Sequence, residues 1–214
     1  MKPDSFTTLV LMTALGVSFA EDKSMIKTPS NFGEDIAFLK KHTEVLVLRQ
    51  GDASVALAPA YQGRVMTSSA TGDAGTSYGW LNYKLISQGV LKGEAAAGKL
   101  EAKIHVFGGE ERFWLGPEGG QFGIYFARGA KFDFDNWKTP PPIDTEPFQV
   151  VSSDQNRAVF SASFSVTNQS GTAFDLAVER TVRLLGAEEL TKALGVKIPA
   201  GLPFVAYETS NRLT

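Results

Sequence analysis

Cysteine is absent from the sequence. That excludes disulfide staples, thiolate zinc sites and cysteine nucleophiles together. Histidine is scarce, with only His42 and His105, so a three-histidine metal centre is excluded too, and no metal or cofactor is expected. No charge of one sign dominates: a formal net charge of −2 gives no basic field to hold nucleic acid or an anionic membrane surface. No apolar run reaches the roughly 20 residues of a membrane span. Internal repeats and low-complexity tracts are missing as well.

What remains is an ordinary globular composition, 43% hydrophobic and 21% charged over 214 residues. The N-terminus reads as an export signal: Lys2, an apolar run from Phe6 to Ala20, and small residues Ser18 and Ala20 ahead of the polar Glu21-Asp22. Residues 1–20 are therefore expected to be a cleaved signal peptide, residues 21–214 a single domain, and the protein secreted or periplasmic.

Most of the chain reads as antiparallel β-structure. Thr28-Pro29-Ser30-Asn31 opens a helix that carries Phe32, Ile36 and Leu39 on one face, acidic residues early and basic ones, with His42, late. Glu44–Arg49 and Ala53–Ala58 form a hairpin around Gln50-Gly51-Asp52. The next strand, Gln62–Ser69, puts Arg64, Met66 and Ser68 on one side and Val65, Thr67 and Ser69 on the other, which suits either a groove wall or an edge strand. A short helix is expected around Leu81, Leu85 and Ile86, and a flexible connector over Gly93–Gly98. Alternation over Leu100–Phe107 predicts a half-buried strand with His105 on its polar, surface side. Pro140–Pro142 is expected to be an exposed, extended link.

The second half alternates more strongly. Ala158, Phe160, Ala162, Phe164 and Val166 share one face of a strand against a row of hydroxyls; Asn168–Gly171 turns the chain; Phe174, Leu176, Val178, Val182 and Leu184 form the next apolar face. Arg180 interrupts that face and needs either an internal carboxylate or a ligand groove, because an unpaired buried charge costs on the order of 3–5 kcal/mol. A short helix over Glu188–Leu194 and a strand over Phe204–Glu208 complete the reading. The last strand carries nothing to cover it, as though a sheet were interrupted.

Chemistry-bearing residues concentrate in Phe107–Phe126, FGGEERFWLGPEGGQFGIYF, where six glycines lie among aromatics and Glu110, Glu111, Arg112 and Glu118. Such a mixture makes either a ligand cleft or a turn region whose aromatics cap the core. In the cleft reading Arg64, Trp80, Asn82, Arg112, Trp114, Gln121 and Asp144 bind a ligand, with the aromatic faces stacking on a sugar ring and the polar groups bonding its hydroxyls. Acid–base chemistry would need two carboxyls of different pKa, and Glu118 and Glu146 are the candidates. The Asp133-x-Asp135-Asn136 spacing hints at calcium, but the rest of a calcium loop is missing, and the segment reads as strand and turn.

The runs PAYQGRVMTSS, SYGWLNYKLI, FGGEERFWLGPEGGQFGIYF, FDFDNW, IDTEPF and VAYETSN together resemble a family of secreted bacterial proteins of unknown function, over nearly the whole mature chain. That family is similar in turn, by architecture, to the galactose-mutarotase-like β-supersandwich proteins. The resemblance implies a large antiparallel sandwich whose concave face holds a carbohydrate, and implies that this chain is an N-terminal fragment truncated at its C-terminus. Mutarotases of that fold use paired histidines and an acidic base; His42 and His105 lie in no matching motif, so no catalytic residue carries over. The expected function is carbohydrate binding or processing, and the alternative is a non-catalytic exported β-sandwich with an adhesion or envelope-structural role.

Overall fold

The computed structural model describes residues 31–89 and 103–214. The predicted signal peptide and the Gly93–Gly98 connector lie outside them. Helix α1 spans Phe32–His42; Asn31 caps it by accepting the Glu34 N–H at 2.8 Å, and Phe32, Ile36 and Leu39 are buried, as their spacing predicts. Strands β1 (Leu46–Gln50), β2 (Ala53–Ala58) and β3 (Arg64–Ser69) form an antiparallel sheet in that order. After α2 (Tyr83–Gln88), the strands β4 (Gln149–Ser153), β5 (Arg157–Thr167), β6 (Ala173–Leu184) and β7 (Tyr207–Leu213) form a second antiparallel sheet, with helix α3 (Ala187–Leu194) between β6 and β7.

The two sheets make a mainly β sandwich. Leu48, Val55, Leu57 and Val65 from the first sheet share one buried cluster with Ala158, Phe160, Val178, Val182 and Leu184 from the second. Strand β2 is covered on both sides, because Ala56 and Ala58 face the helices together with Phe32, Ile36, Leu39 and Leu85. An apolar run such as Val55–Ala58 fits a strand buried on both faces.

Arg180 is fully buried and pairs internally. Its guanidinium holds the Glu111 carboxylate through both terminal nitrogens, and it donates to Asn211 Oδ1 at 3.0 Å and to the Gly63 carbonyl at 3.2 Å. One side chain thus ties the second sheet to the entry of β3. Gly63 is needed there. It sits at φ +64°, and a Cβ would fall 2.7 Å from the Phe160 ring.

Three expectations are corrected. Residues 103–107 form no strand: the segment runs as irregular chain, fixed by the Asn82 N–H on the Phe107 carbonyl at 3.0 Å and the Thr139 N–H on the Lys103 carbonyl at 2.8 Å. His105 is therefore not on a surface face but 5% exposed. Period-two alternation misled because the segment's backbone partners are loops, not a strand. Pro141–Ile143 is a 3₁₀ turn with Ile143 in the core, rather than an extended exposed link. The final strand starts at Tyr207, later than expected, and runs to Leu213. Among the described residues, no helix is long and apolar enough to cross a membrane.

Candidate functional site

Strand β3 directs Arg64 inward, where it is 3% exposed. Among the described residues β3 has one strand neighbour, β2, yet all six of its residues are buried. The Gly-rich stretch covers its free side, with Glu110 N–H donating to the Val65 carbonyl at 2.8 Å and Val65 N–H to the Glu111 carbonyl at 3.0 Å. The same stretch packs against the chain before α2, where Gly108 (φ +88°) leaves no room for a Cβ beside the Trp80 carbonyl. The Gly108 carbonyl then accepts Arg64 Nη1 at 2.9 Å.

Opposite lies Asp144, 3% exposed, just after the 3₁₀ turn. Its carboxylate accepts the His105 backbone N–H at 3.1 and 3.2 Å and the His105 Nδ1 at 2.6 Å. A carboxylate accepts only, so Nδ1 carries the proton, and in the neutral ring Nε2 holds the lone pair. Arg112 approaches the same carboxylate at 3.8 Å and donates to the Ile143 carbonyl. Tyr61, Phe107 and His105 stack in series, with centroids 4.2 and 5.7 Å apart, and the Arg64 guanidinium lies 5.8 Å from the centre of the Phe107 ring.

This cluster is electrostatically uncomfortable. Burial and the repulsion of Arg112, only partly relieved by Asp144, lower the Arg64 pKa to about 9. Burial lowers Arg112 in the same direction, against the pull of Asp144. Burial also raises the Tyr61 hydroxyl to about 12. Six buried polar atoms have no hydrogen-bond partner among the described residues: Arg64 Nε and Nη2, Arg112 Nε, His105 Nε2, Gln62 Oε1 and Thr139 Oγ1. Each such atom costs on the order of 1–3 kcal/mol unless a water or a ligand pairs with it. Gln62 adds a left-handed backbone at φ 65°, uncommon for a residue with a side chain.

The structure brings together Arg64, Arg112 and Asp144 among the sequence-predicted site residues. Trp114 adjoins them: the Arg112 guanidinium lies 4.3 Å over its ring, and its Nε1 donates to Glu118 at 2.8 Å. Glu146 contributes its backbone carbonyl, which accepts Gln62 Nε2 at 2.6 Å; its exposed side chain lines an open groove of about 280 Å³ with Phe148, Ser161 and Ser163. Thr139 lines a second groove, of about 380 Å³, with Tyr125, Pro140 and Val166. Trp80 is 59% exposed beside Gly108. Asn82 caps α2 through the Leu85 N–H and donates to the Val106 carbonyl, and Gln121 is an exposed loop residue. Asp133 caps a turn through the Asn136 N–H at 3.0 Å.

Tyr61, Gln62, His105 and Thr139 are the residues that the sequence reading missed. His105 was one of two histidines and two positions ahead of Phe107-Gly108-Gly109, which was the available signal.

The fold and the cluster define a mainly β sandwich with a buried, partly unsatisfied polar site. Residues 30–214 match the family described as a family of unknown function, DUF6786, and the chain belongs to that family. No curated protein and no solved structure matches the chain.

Proposed function

We propose that this is an exported protein that binds or processes a carbohydrate at the cluster of Arg64, His105, Arg112 and Asp144. The observation that carries the reading is the set of six unpartnered polar atoms, which a polyhydroxylated ligand could satisfy. Trp114 and Glu118 adjoin through Arg112, and Trp80 stands at the Gly108 end. Export rests on Lys2, the apolar run and Ser18-x-Ala20, and the mature chain should begin near Glu21. The similarity to galactose-mutarotase-like supersandwiches belongs to the same reading, as the source of the concave sugar-holding face.

If the protein processes its ligand, the geometry favours His105 as the base and Asp144 as the group that orients it, ahead of Glu118 and Glu146. A base needs an open ring nitrogen on a fixed ring, and His105 has its Nδ1 held by Asp144 and its Nε2 without a partner among the described residues. Glu118 is bonded to Trp114, and Glu146 is exposed.

A non-catalytic envelope role is favoured by one observation. Trp114 belongs to a continuous stack: Arg112 over Trp114, Trp114 against Tyr125 (5.2 Å), Tyr125 against Trp137 (5.4 Å), Trp137 against Phe134 (6.2 Å), and Lys103 over Phe134 (4.2 Å). Rings stacked in this way brace a loop region whether or not a sugar binds. Calorimetric titration against a glycan panel separates the two roles. Binding that Trp114→Ala or His105→Ala weakens at least tenfold supports the sugar site; no binding, with Trp114→Ala merely lowering the melting temperature, leaves the bracing role.

A further inference from the structure

The unpartnered atoms of the cluster are not a random set. On Arg64 they are Nε and Nη2, while Nη1 is used by the Gly108 carbonyl. Nε–H and Nη2–H are the two parallel donors along one edge of a guanidinium, the fork that meets two oxygens of one anion side-on. Arg112 also leaves Nε free, but its Nη2 is held by the Ile143 carbonyl, so the open fork is that of Arg64. The charge count points in the same direction. Among the described residues two guanidiniums face one carboxylate, and Asp144 is already engaged by three contacts from His105.

The neighbouring acids are spent elsewhere. Glu111 is held by Arg180, and Glu110 by Ser68 at 2.9 Å and by the Tyr207 hydroxyl at 3.1 Å. A water molecule could fill one donor position, but it would leave the excess positive charge in place. An anion with two coplanar oxygens satisfies the fork and the charge together. The acceptors at hand, His105 Nε2 and Gln62 Oε1, would at the same time receive hydroxyl protons from the body of the ligand.

We propose that the site takes a sugar acid, a hexuronate whose carboxylate docks on the Nε–Nη2 edge of Arg64 and whose hydroxyls meet His105 Nε2 and Gln62 Oε1. The proposal rests on the carbohydrate reading above and narrows it to a ligand class. A neutral sugar leaves the Arg64 fork facing a hydroxyl, which offers one oxygen where two are called for. Arg112, with 20% of its side chain exposed, is the more open of the two arginines and stands nearer to solvent.

Titration calorimetry of the full chain with glucuronate and galacturonate, beside glucose, galactose, a sulfated galactose and acetate, tests this. The expected result is that at least one uronate binds tenfold or more tighter than its neutral parent, than the sulfated sugar and than acetate. Arg64→Lys, which keeps the charge but removes the fork, should weaken uronate binding at least tenfold while the melting curve stays cooperative. Neutral sugars binding as well as uronates would overturn the proposal and leave the carbohydrate reading intact. Acetate or the sulfated sugar matching the uronates would overturn it as well, as would unchanged uronate affinity in Arg64→Lys. Binding to none of these ligands would sink the proposal together with the carbohydrate reading.

Discussion

Replacing Arg64 with methionine should make the unliganded protein more stable, not less. The Arg64 cation is held where burial and Arg112 lower its pKa to about 9. A displacement of that size corresponds to on the order of 5 kcal/mol against the charged form. Methionine fills the space of the aliphatic stem and removes the charge. The losses are the hydrogen bond to the Gly108 carbonyl, on the order of 1–3 kcal/mol once that carbonyl is left unpaired, and the contact with the Phe107 ring, about 0.5–1 kcal/mol. The balance is a gain of about 1–3 kcal/mol. In a domain of this size that raises the melting temperature by roughly 2–10 °C. Differential scanning calorimetry of the two proteins without ligand reads it directly. A drop of several degrees would refute the reasoning, because it would make Arg64 a structural brace rather than a strained binding group.

Further outcomes follow from the same physics. Glu111→Gln leaves Arg180 buried without its counter-charge and should cost about 3–5 kcal/mol, read as a lowered denaturant midpoint. Gly79→Ala places a Cβ 2.1 Å from the Met66 carbonyl oxygen, so backbone must move; a loss of at least about 1–3 kcal/mol is expected, read the same way. Alkaline pH should unfold the protein. Tyr61 is pushed up to about 12, and burial raises Tyr125 and Tyr207 in the same direction, so the unfolded chain releases these protons first and stability falls from pH 10 upward. Arg64, with its pKa lowered, acts in the opposite sense above about pH 9, where the unfolded chain holds the extra proton. Arg64→Met should therefore lose stability more steeply than the parent between pH 10 and 12.

Strands β1, β2, β3, β5 and β6 were legible because their residues obey a local rule, whereas β7 starts later than its residues suggested. Strands β5 and β6 alternate so regularly that most of their apolar faces could be named in advance, Phe174 being exposed instead, and Arg180 could be flagged as an intruder needing either an internal carboxylate or a ligand groove. The α1 cap and the β1–β2 hairpin carry equally local signals in Asn31 and in Gln50-Gly51-Asp52. The site is a different matter. Arg64, Arg112 and Asp144 could be singled out as polar residues in aromatic surroundings, but His105 obeyed a strand pattern in a segment that is no strand. Its burial depends on Asp144, which is 39 positions away in the chain. Gln62 and Thr139 became visible only once their polar atoms were found buried and unpaired, a property of tertiary packing that no window of sequence contains.

Sugar binding by this protein depends on the Arg64–His105–Arg112–Asp144 cluster being a ligand site. The most direct test is a crystal structure of the full chain grown with glucuronate or galacturonate. Sugar density is predicted at the cluster, with two carboxylate oxygens within hydrogen-bond distance of Arg64 Nε and Nη2 and a hydroxyl on His105 Nε2. The contrary result is a cluster closed by ordered water alone, each of the six atoms paired with it, while the sugar is absent or bound elsewhere.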